Sequence, residues 1–273
     1  MNLLHAAVLG ALQGFTEVLP ISSSGHLILL PWLLNWPESG LTFDVALHVG
    51  TFLALSLYFW RDIIEMTLSF FDALAARRLN TPARRLPFLI IIATVPAAIA
   101  GKLFEHQVEA IFRSNPLLIA SFLIGFGLIL GAVDLFGRKR LILDELKPPG
   151  ALTIGLMQCL ALIPGVSRSG ITITAALMLG FTRESAARFS FLMSLPIVMG
   201  AALLKSVHLF TEGIPPGEGL PMLVGIVFSA ATGYISVAFL LRFVQKNSLS
   251  PFVWYRVLVG VALVITILAG FKG

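Results

Sequence analysis

Charged residues are scarce in this sequence: aspartate, glutamate, lysine and arginine make up 12% of its 273 residues, while 57% are hydrophobic. A soluble domain carries roughly 25% charged residues, so this chain lacks the polar groups that would cover a surface in water. The mean hydropathy of +0.93 agrees with that shortage. These properties exclude an ordinary soluble globular protein and indicate one whose solvent is the lipid bilayer.

Three other features that the sequence lacks exclude particular kinds of site or function. The single cysteine, Cys159, excludes an internal disulfide and a thiolate metal site, and no His-x-x-x-His spacing occurs. The pI of 9.7 comes without a basic cluster interleaved with aromatic residues, which argues against nucleic acid binding. Residues 1–5 lack a basic region and a small-residue cleavage site, so we expect a retained segment and not a signal peptide.

Long apolar runs are plentiful, and six of them are each about long enough for one helical span of about 20 residues. Charges, prolines or glycines bound each run. The six runs are Phe43–Trp60, Leu86–Leu103, Leu117–Phe136, Glu184–Leu204, Leu220–Leu241 and Phe252–Phe271. They predict a helical protein that crosses the membrane several times.

Two further hydrophobic stretches, Met1–Trp36 and Ala151–Phe181, are interrupted near their middles. Pro20 and a serine–glycine run break the first, and Pro164 with a glycine, serine and arginine run breaks the second. Neither half is long enough to cross alone, and non-helical backbone at membrane depth persists only where protein or a water-filled cavity satisfies it. We interpret both stretches as re-entrant hairpins that enter the membrane and return to the same side.

The interrupted stretches also resemble each other. Gly-Ala-Leu-Gln at 10–13 precedes the first break, and Gly-Leu-Met-Gln at 155–158 precedes the second. Each unit then consists of one broken hairpin and three spans, an odd number that inverts the second unit. The predicted fold is an all-α polytopic membrane protein with two inverted-topology repeats, about 1–136 and 151–273, in a single membrane domain, 1–273. Chance similarity among apolar residues is the alternative.

Loop charge predicts the orientation. Basic residues are concentrated in the segments 61–85 and 137–150 and at Arg242 and Lys246, whereas the alternating connections hold only Arg113. Because positive loops remain in the cytoplasm, we expect both termini on the outer side.

Polar residues cluster at the first break. Gln13 and Glu17 are four apart and share one helix face. A carboxylate at membrane depth costs roughly 2.5–3.5 kcal/mol on insertion scales, so it normally lines a cavity or has a partner; a surface position is the alternative. Three serines and His26 follow within one turn, where free backbone N–H groups form an anion site. For Ser22 alone, helix capping is the simpler interpretation.

The second break supplies Ser167, Arg168 and Ser169, with Thr172 close behind. The planar guanidinium of Arg168 suits phosphate bidentately, and an ion pair with Glu17 is compatible with that role. Together the breaks would place hydroxyl nucleophiles, a histidine, a carboxylate and a fixed cation around one pocket, as phosphoryl transfer requires. A divalent ion that bridges Glu17 and substrate phosphates is left open.

These motifs resemble the signatures of the bacterial undecaprenyl-diphosphatase family, the bacitracin-resistance phosphatases, over essentially the whole chain. They are Gln13-x-x-x-Glu17, Pro-Ile-Ser-Ser-Ser-Gly-His at 20–26 and Pro-Gly-Val-Ser-Arg-Ser-Gly-x-Thr at 164–172. The resemblance implies hydrolysis of undecaprenyl diphosphate to undecaprenyl phosphate, which recycles the lipid carrier of cell-wall synthesis. It also implies a divalent cation (Mg²⁺ or Ca²⁺), a bacterial inner-membrane location and an active site open to the outer face. A homodimer is left open.

By the same resemblance, the candidate catalytic residues are Glu17, Ser23, His26 and Arg168. The candidate substrate-binding residues are Gln13, Ser22, Ser24, Ser167, Ser169 and Thr172, and Glu17 is the candidate metal ligand. Glutamine at position 13, which the family admits beside glutamate, argues against a mechanism that needs two carboxylates on that helix.

The mechanism we expect has Ser23 attacking the terminal phosphorus, with His26 or Glu17 taking the proton; His26 as the nucleophile is the competing version. A lipid flippase or secondary transporter is the main alternative function, because inverted repeats with broken helices are transporter architecture. Acid-phosphatase-like lipid phosphatases share a serine-glycine-histidine motif. They also need a second histidine shortly after their serine-arginine pair, and residues 171–175 contain none.

Overall fold

The computed structural model describes residues 2–37, 40–113, 115–212 and 217–270. Within those ranges the chain is all-helical and forms no strand. Its α-helices are α1 Leu3–Val18, α2 Ser23–Leu34, α3 Leu41–Tyr58, α4 Trp60–Ala76, α5 Pro82–Arg113, α6 Pro116–Phe136, α7 Pro148–Gln158, α8 Arg168–Met178, α9 Arg183–Glu212, α10 Gly219–Lys246 and α11 Ser250–Leu268. Short 3-10 turns form at Leu143–Glu145 and Cys159–Leu162.

Several helices are long and apolar enough to cross a membrane. Four in the described part of the chain qualify by length and composition: Pro82–Phe104 within α5, together with α6, α10 and α11. The pair α3 and α4 makes a fifth if counted as one span, although it is bent by 77°. Helix α9 covers the predicted run Glu184–Leu204 but does not qualify, so that span stays a prediction. Phe271, the predicted end of the last run, lies outside the described residues.

The segment 61–85 was expected to be a basic loop, and that is wrong for most of its length. Helix α4 occupies it because apolar residues recur at helical spacing: Ile63, Met66 and Phe70 lie on one face. Ile63 and Met66 pack against the main core, and the Phe70 ring lies 5.1 Å from that of Phe88 on α5. The basic residues cluster after the helix ends at Ala76.

Both predicted interruptions are confirmed as breaks between helices. Helix α1 ends at Val18 and α2 begins at Ser23. The turn after α7 ends at Leu162, and four residues separate it from Ser167, the N-cap of α8. At 1.5 Å per residue the sixteen-residue α1 is roughly 24 Å long, shorter than the roughly 30 Å hydrocarbon core. Helix α1 is therefore too short to span that core alone, and the polar residues Glu17, Ser22 and His26 at the first break are buried inside the protein.

The short helices pack closely on long ones. A Cβ at Gly10 on α1 would lie 2.4 Å from the carbonyl oxygen of Gly225 on α10. A Cβ at Gly155 on α7 would likewise lie 2.4 Å from the carbonyl oxygen of Ala93 on α5. Both contacts require glycine, because any side chain would collide with backbone. They hold α1 against α10 and α7 against α5, in each case a long helix from the other half of the chain.

Candidate active site

Glu17 lies at the end of α1, is 8% exposed, and has partners on both carboxylate oxygens. Its Oε2 accepts from the Ser23 hydroxyl and from Gln13 Nε2 at 3.3 Å. Its Oε1 accepts from Arg168 Nη2. The two breaks thus converge on one carboxylate, and the alternative that placed Glu17 on the surface is wrong.

Arg168 and Glu17 form an ion pair, which the sequence predicts to be compatible with phosphate binding. Arg168 is the first residue of α8, and its side chain is 17% exposed. Each charge would be costly to bury in the protein without the other. Arg168 keeps further N–H donors beyond the one that faces Glu17, because a guanidinium carries five.

His48 on α3 is a further neighbour of Glu17. Its Nδ1 lies 2.7 Å from the carbonyl oxygen of Asp44 and donates to it, since a carbonyl only accepts. Its Nε2 lies 3.8 Å from Glu17 Oε2. The structure thus puts His48 beside the Glu17 carboxylate.

The serine at each break has positive φ, 77° at Ser22 and 73° at Ser167, which is uncommon for a residue with a side chain. Ser22 Oγ accepts from the backbone N–H of Gly165 at 3.0 Å, so it joins the first break to the second. Ser167 Oγ accepts from Gly170 N–H at 3.1 Å and caps α8. The capping interpretation of Ser22 is confirmed in position only: Ser22 is the N-cap residue of α2, but its side chain makes no capping hydrogen bond.

The remaining predicted substrate-binding residues are less central. Ser169 is buried, and its hydroxyl donates to the carbonyl oxygen of Leu19 at 3.1 Å, another bond between the breaks. Thr172 is buried against α9, where its hydroxyl lies 2.6 Å from Ser190 Oγ. Ser24 is exposed. Among the hydroxyl groups of the predicted site residues, it is that of Ser23 that donates to the Glu17 carboxylate.

His26 stands apart from the Glu17 cluster. Its Nδ1 lies 2.6 Å from the carbonyl oxygen of Ser22, and its Nε2 lies 2.8 Å from the hydroxyl oxygen of Tyr255 on α11. Both ring nitrogens are thus occupied by groups other than Ser23 and Glu17.

Known proteins match this chain over most of its length. The model of the family described as Bacitracin resistance protein BacA matches residues 6–262. The chain belongs to this family. It is 70% identical over 273 residues to an undecaprenyl-diphosphatase of Pelobacter propionicus, covering 100% of both chains. It is 61% identical over 267 residues to the enzyme of that name in Geobacter metallireducens, covering 98% of this chain and 99% of the other. The resemblance drawn from the motifs is confirmed.

Arg256 is a buried residue of the site that sequence reasoning missed. It is fully buried in α11 and donates to backbone carbonyls of both breaks: Pro20 at 3.2 Å, and Gly165 and Val166 at 2.7 and 3.0 Å. Its Nε donates to Leu123 on α6 at 3.1 Å. A lone arginine within a predicted apolar span was a usable signal, because ionisable residues inside membranes are usually functional.

The divalent cation that membership in the BacA family implies can be tested against the residues present. The described residues hold no group of three or more histidine, cysteine, aspartate or glutamate side chains that could bind a metal. Near Glu17, however, Gln13 Oε1 is buried without a hydrogen-bond partner, and His48 Nε2 faces the carboxylate. Such a donor set fits a metal ion that takes its other ligands from substrate phosphates and water.

Proposed function

We propose that this chain is an integral membrane phosphatase that hydrolyses undecaprenyl diphosphate to undecaprenyl phosphate and inorganic phosphate. One observation carries the proposal: a serine from one break and an arginine from the other meet on the two oxygens of a single buried carboxylate. A nucleophile, a base and a fixed cation are the groups that phosphoryl transfer needs. Full-length relatives named undecaprenyl-diphosphatase supply the substrate.

In the first step, Ser23 Oγ attacks the terminal phosphorus and Glu17 accepts the serine proton. A bond forms between Oγ and phosphorus, and the bond from phosphorus to the bridging oxygen breaks. Undecaprenyl phosphate leaves with the bonding electron pair. Glu17 suits the role of base because the Ser23 hydroxyl already donates to it.

In the second step, water attacks the phosphorus of the phosphoserine and the bond between phosphorus and Oγ breaks. Glu17 returns its proton to Oγ, which restores the serine hydroxyl, and inorganic phosphate leaves. Arg168 and the free N–H groups at the starts of α2 and α8 neutralise the charge that develops on the phosphoryl oxygens in both steps. His26 does not take the Ser23 proton in this scheme, because Ser22 and Tyr255 occupy its ring nitrogens. A phosphohistidine intermediate is the competing version.

A divalent cation belongs to the proposal as an expectation from the family. When bound, it would neutralise part of the diphosphate charge. Glu17, Gln13 and His48 are the residues of this chain that would hold it. Whether the ion is Mg²⁺ or Ca²⁺ stays open.

We also propose that the two halves form inverted-topology repeats, each a re-entrant hairpin followed by three spans. Two observations support this: a serine with positive φ at the same place in each break, and the reciprocal packing of α1 on α10 and of α7 on α5. The repeats would occupy about 1–136 and 151–273 of one membrane domain. Both termini would lie outside, with the site open to the outer face of the bacterial inner membrane. A homodimer stays a prediction.

The role in the cell follows from the substrate. Regenerating undecaprenyl phosphate recycles the carrier for peptidoglycan synthesis, and removing the diphosphate form accounts for bacitracin resistance in the family's name.

Phosphate release from undecaprenyl diphosphate in detergent tests the proposal. We expect turnover by the purified chain and a loss of at least about a thousandfold in Ser23→Ala. Ser121→Ala, the same change at an exposed serine of α6, should retain full activity. Movement of the lipid across vesicles without any phosphate release would replace the phosphatase with a flippase.

Trapping the phosphorylated residue and mapping it by mass spectrometry tests the mechanism. Phosphate on Ser23 is the expected result, and phosphate on His26 would overturn the serine version.

A further inference from the structure

His26 is held at both nitrogens of its ring. Nδ1 faces the carbonyl oxygen of Ser22, which only accepts, so Nδ1 carries a proton and donates it. In the neutral ring Nε2 then has a lone pair, and the Tyr255 hydroxyl is the group that donates to it. The two contacts select one of the two neutral tautomers of imidazole.

Tyr255 also packs on the His26 ring, with centroids 5.6 Å apart and planes inclined by 15°. His26 is 7% exposed, whereas Tyr255 is 40% exposed. The tyrosine thus covers the imidazole and restricts its rotation in addition to bonding its Nε2.

The position of Tyr255 is itself fixed by its neighbour in sequence. Arg256 binds carbonyl groups of both breaks, so α11 is held in register with them at this point. Ser22, the partner of His26 Nδ1, is bonded through its hydroxyl to Gly165 of the second break. The contacts on both sides of His26 therefore depend on the same convergence of the two breaks that builds the Glu17 cluster.

We infer that Tyr255 is a positioning residue that holds His26 in its Nδ1-protonated tautomer with the Nε2 lone pair fixed in place. The inference rests on the proposed phosphatase function, in which His26 belongs to the site. The Nδ1-protonated tautomer donates to the carbonyl group of Ser22, the residue just before Ser23, and the other tautomer would lose that hydrogen bond.

Tyr255→Phe removes the hydroxyl and keeps the ring that stacks on His26. We expect kcat for phosphate release to fall about tenfold, the effect of one buried hydrogen bond, with KM within about twofold. Tyr234→Phe is the matched control: Tyr234 on α10 is 45% exposed and packs on the ring of Tyr58. The control should keep kcat within about twofold of wild type.

A double-mutant cycle shows whether Tyr255 acts through His26. In a His26→Ala background, adding Tyr255→Phe should cause no further loss of kcat, because the group that it positions is gone. Two independent losses that multiply would overturn the inference.

Nitrogen-15 NMR of histidine-labelled protein in detergent reports the tautomer directly. The chain has five histidines, and the His26→Ala spectrum identifies the signals of residue 26. We expect a single Nδ1-protonated tautomer in the wild type and a mixture in Tyr255→Phe. An unchanged tautomer in the variant would refute the inference. The NMR measurement does not require turnover. If the wild-type protein released no phosphate, the proposed phosphatase function would fail, and the tautomer of His26 would still be tested independently.

Discussion

The two breaks share a backbone and differ in chemistry. Each has a serine at positive φ, Ser22 and Ser167, followed at once by a helix start. The next residue is Ser23 in the first break and Arg168 in the second, and both bond to Glu17 on opposite oxygens. The same backbone geometry therefore presents a hydroxyl group on one side of Glu17 and a cation on the other.

The difference extends along both helices. At the constant spacing of 145 residues that relates Ser22 to Ser167, Glu17 corresponds to Leu162 and His26 to Ile171. The second break therefore lacks a base and an imidazole of its own. It can complete only a site that the first break begins, and the predictions below test that division.

The largest effect is expected at the cation of the second break. Arg168→Ala should lower kcat about a thousandfold and Arg168→Lys about a hundredfold, because lysine keeps the charge and loses the planar fork. Phosphate release in detergent is the measurement. Arg188→Lys is the control, since Arg188 also pairs with a carboxylate, that of Asp62, and is more exposed. If Arg168→Lys kept half of the wild-type kcat, the second break would supply structure and not a reacting group.

The next effect tests whether Arg256, which donates to carbonyl groups of both breaks, holds them together. Arg256→Met should lower the free energy of unfolding by about 3 kcal/mol, because several buried carbonyls lose their donor at once. Thermal unfolding in detergent measures it, with Arg242→Met at an exposed position of α10 as the control. Equal stability of the two variants would mean that Arg256 does not hold the breaks together.

Much of this fold could be predicted from the sequence because apolar run length is a direct signal of helical spans. The runs at 117–136 and 220–241 match α6 and α10 closely. Helix α4 was missed because arginines at both ends of the segment 61–85 concealed its helical periodicity. Charge counting reports which side a loop lies on, and it carries no information about helix inside that loop.

The candidate site was predictable as a set of residues but not as a geometry. Paired breaks and short motifs identified Glu17, Ser23 and Arg168, which the structure brings together. They could not show that His26 faces Tyr255, because that contact joins residues 229 positions apart. Long-range partners of this kind depend on tertiary packing, which a local pattern does not encode.

A smaller effect tests whether the packing of α1 on α10 and that of α7 on α5 contribute equally to stability. Gly10→Ala and Gly155→Ala should each lower the free energy of unfolding by about 2 kcal/mol, because each added methyl would lie 2.4 Å from a backbone carbonyl oxygen. Gly125→Ala on α6 meets no atom within 4 Å and should not destabilise the protein. Thermal unfolding of the three variants gives the comparison. A loss at only one of the two packed glycines would contradict reciprocal packing of the halves.

The smallest effect separates the two serines. Ser22→Ala and Ser167→Ala impose the same cost of positive φ on alanine, so that cost cancels between them. Each should lower the free energy of unfolding by about 1 kcal/mol, through one lost hydrogen bond or cap. Their effects on kcat should differ, because Ser22 bonds the opposite break whereas Ser167 bonds its own helix. We expect kcat to fall about fivefold in Ser22→Ala and about twofold in Ser167→Ala. A larger loss of kcat in Ser167→Ala would reverse the assignment of which serine aligns the two breaks.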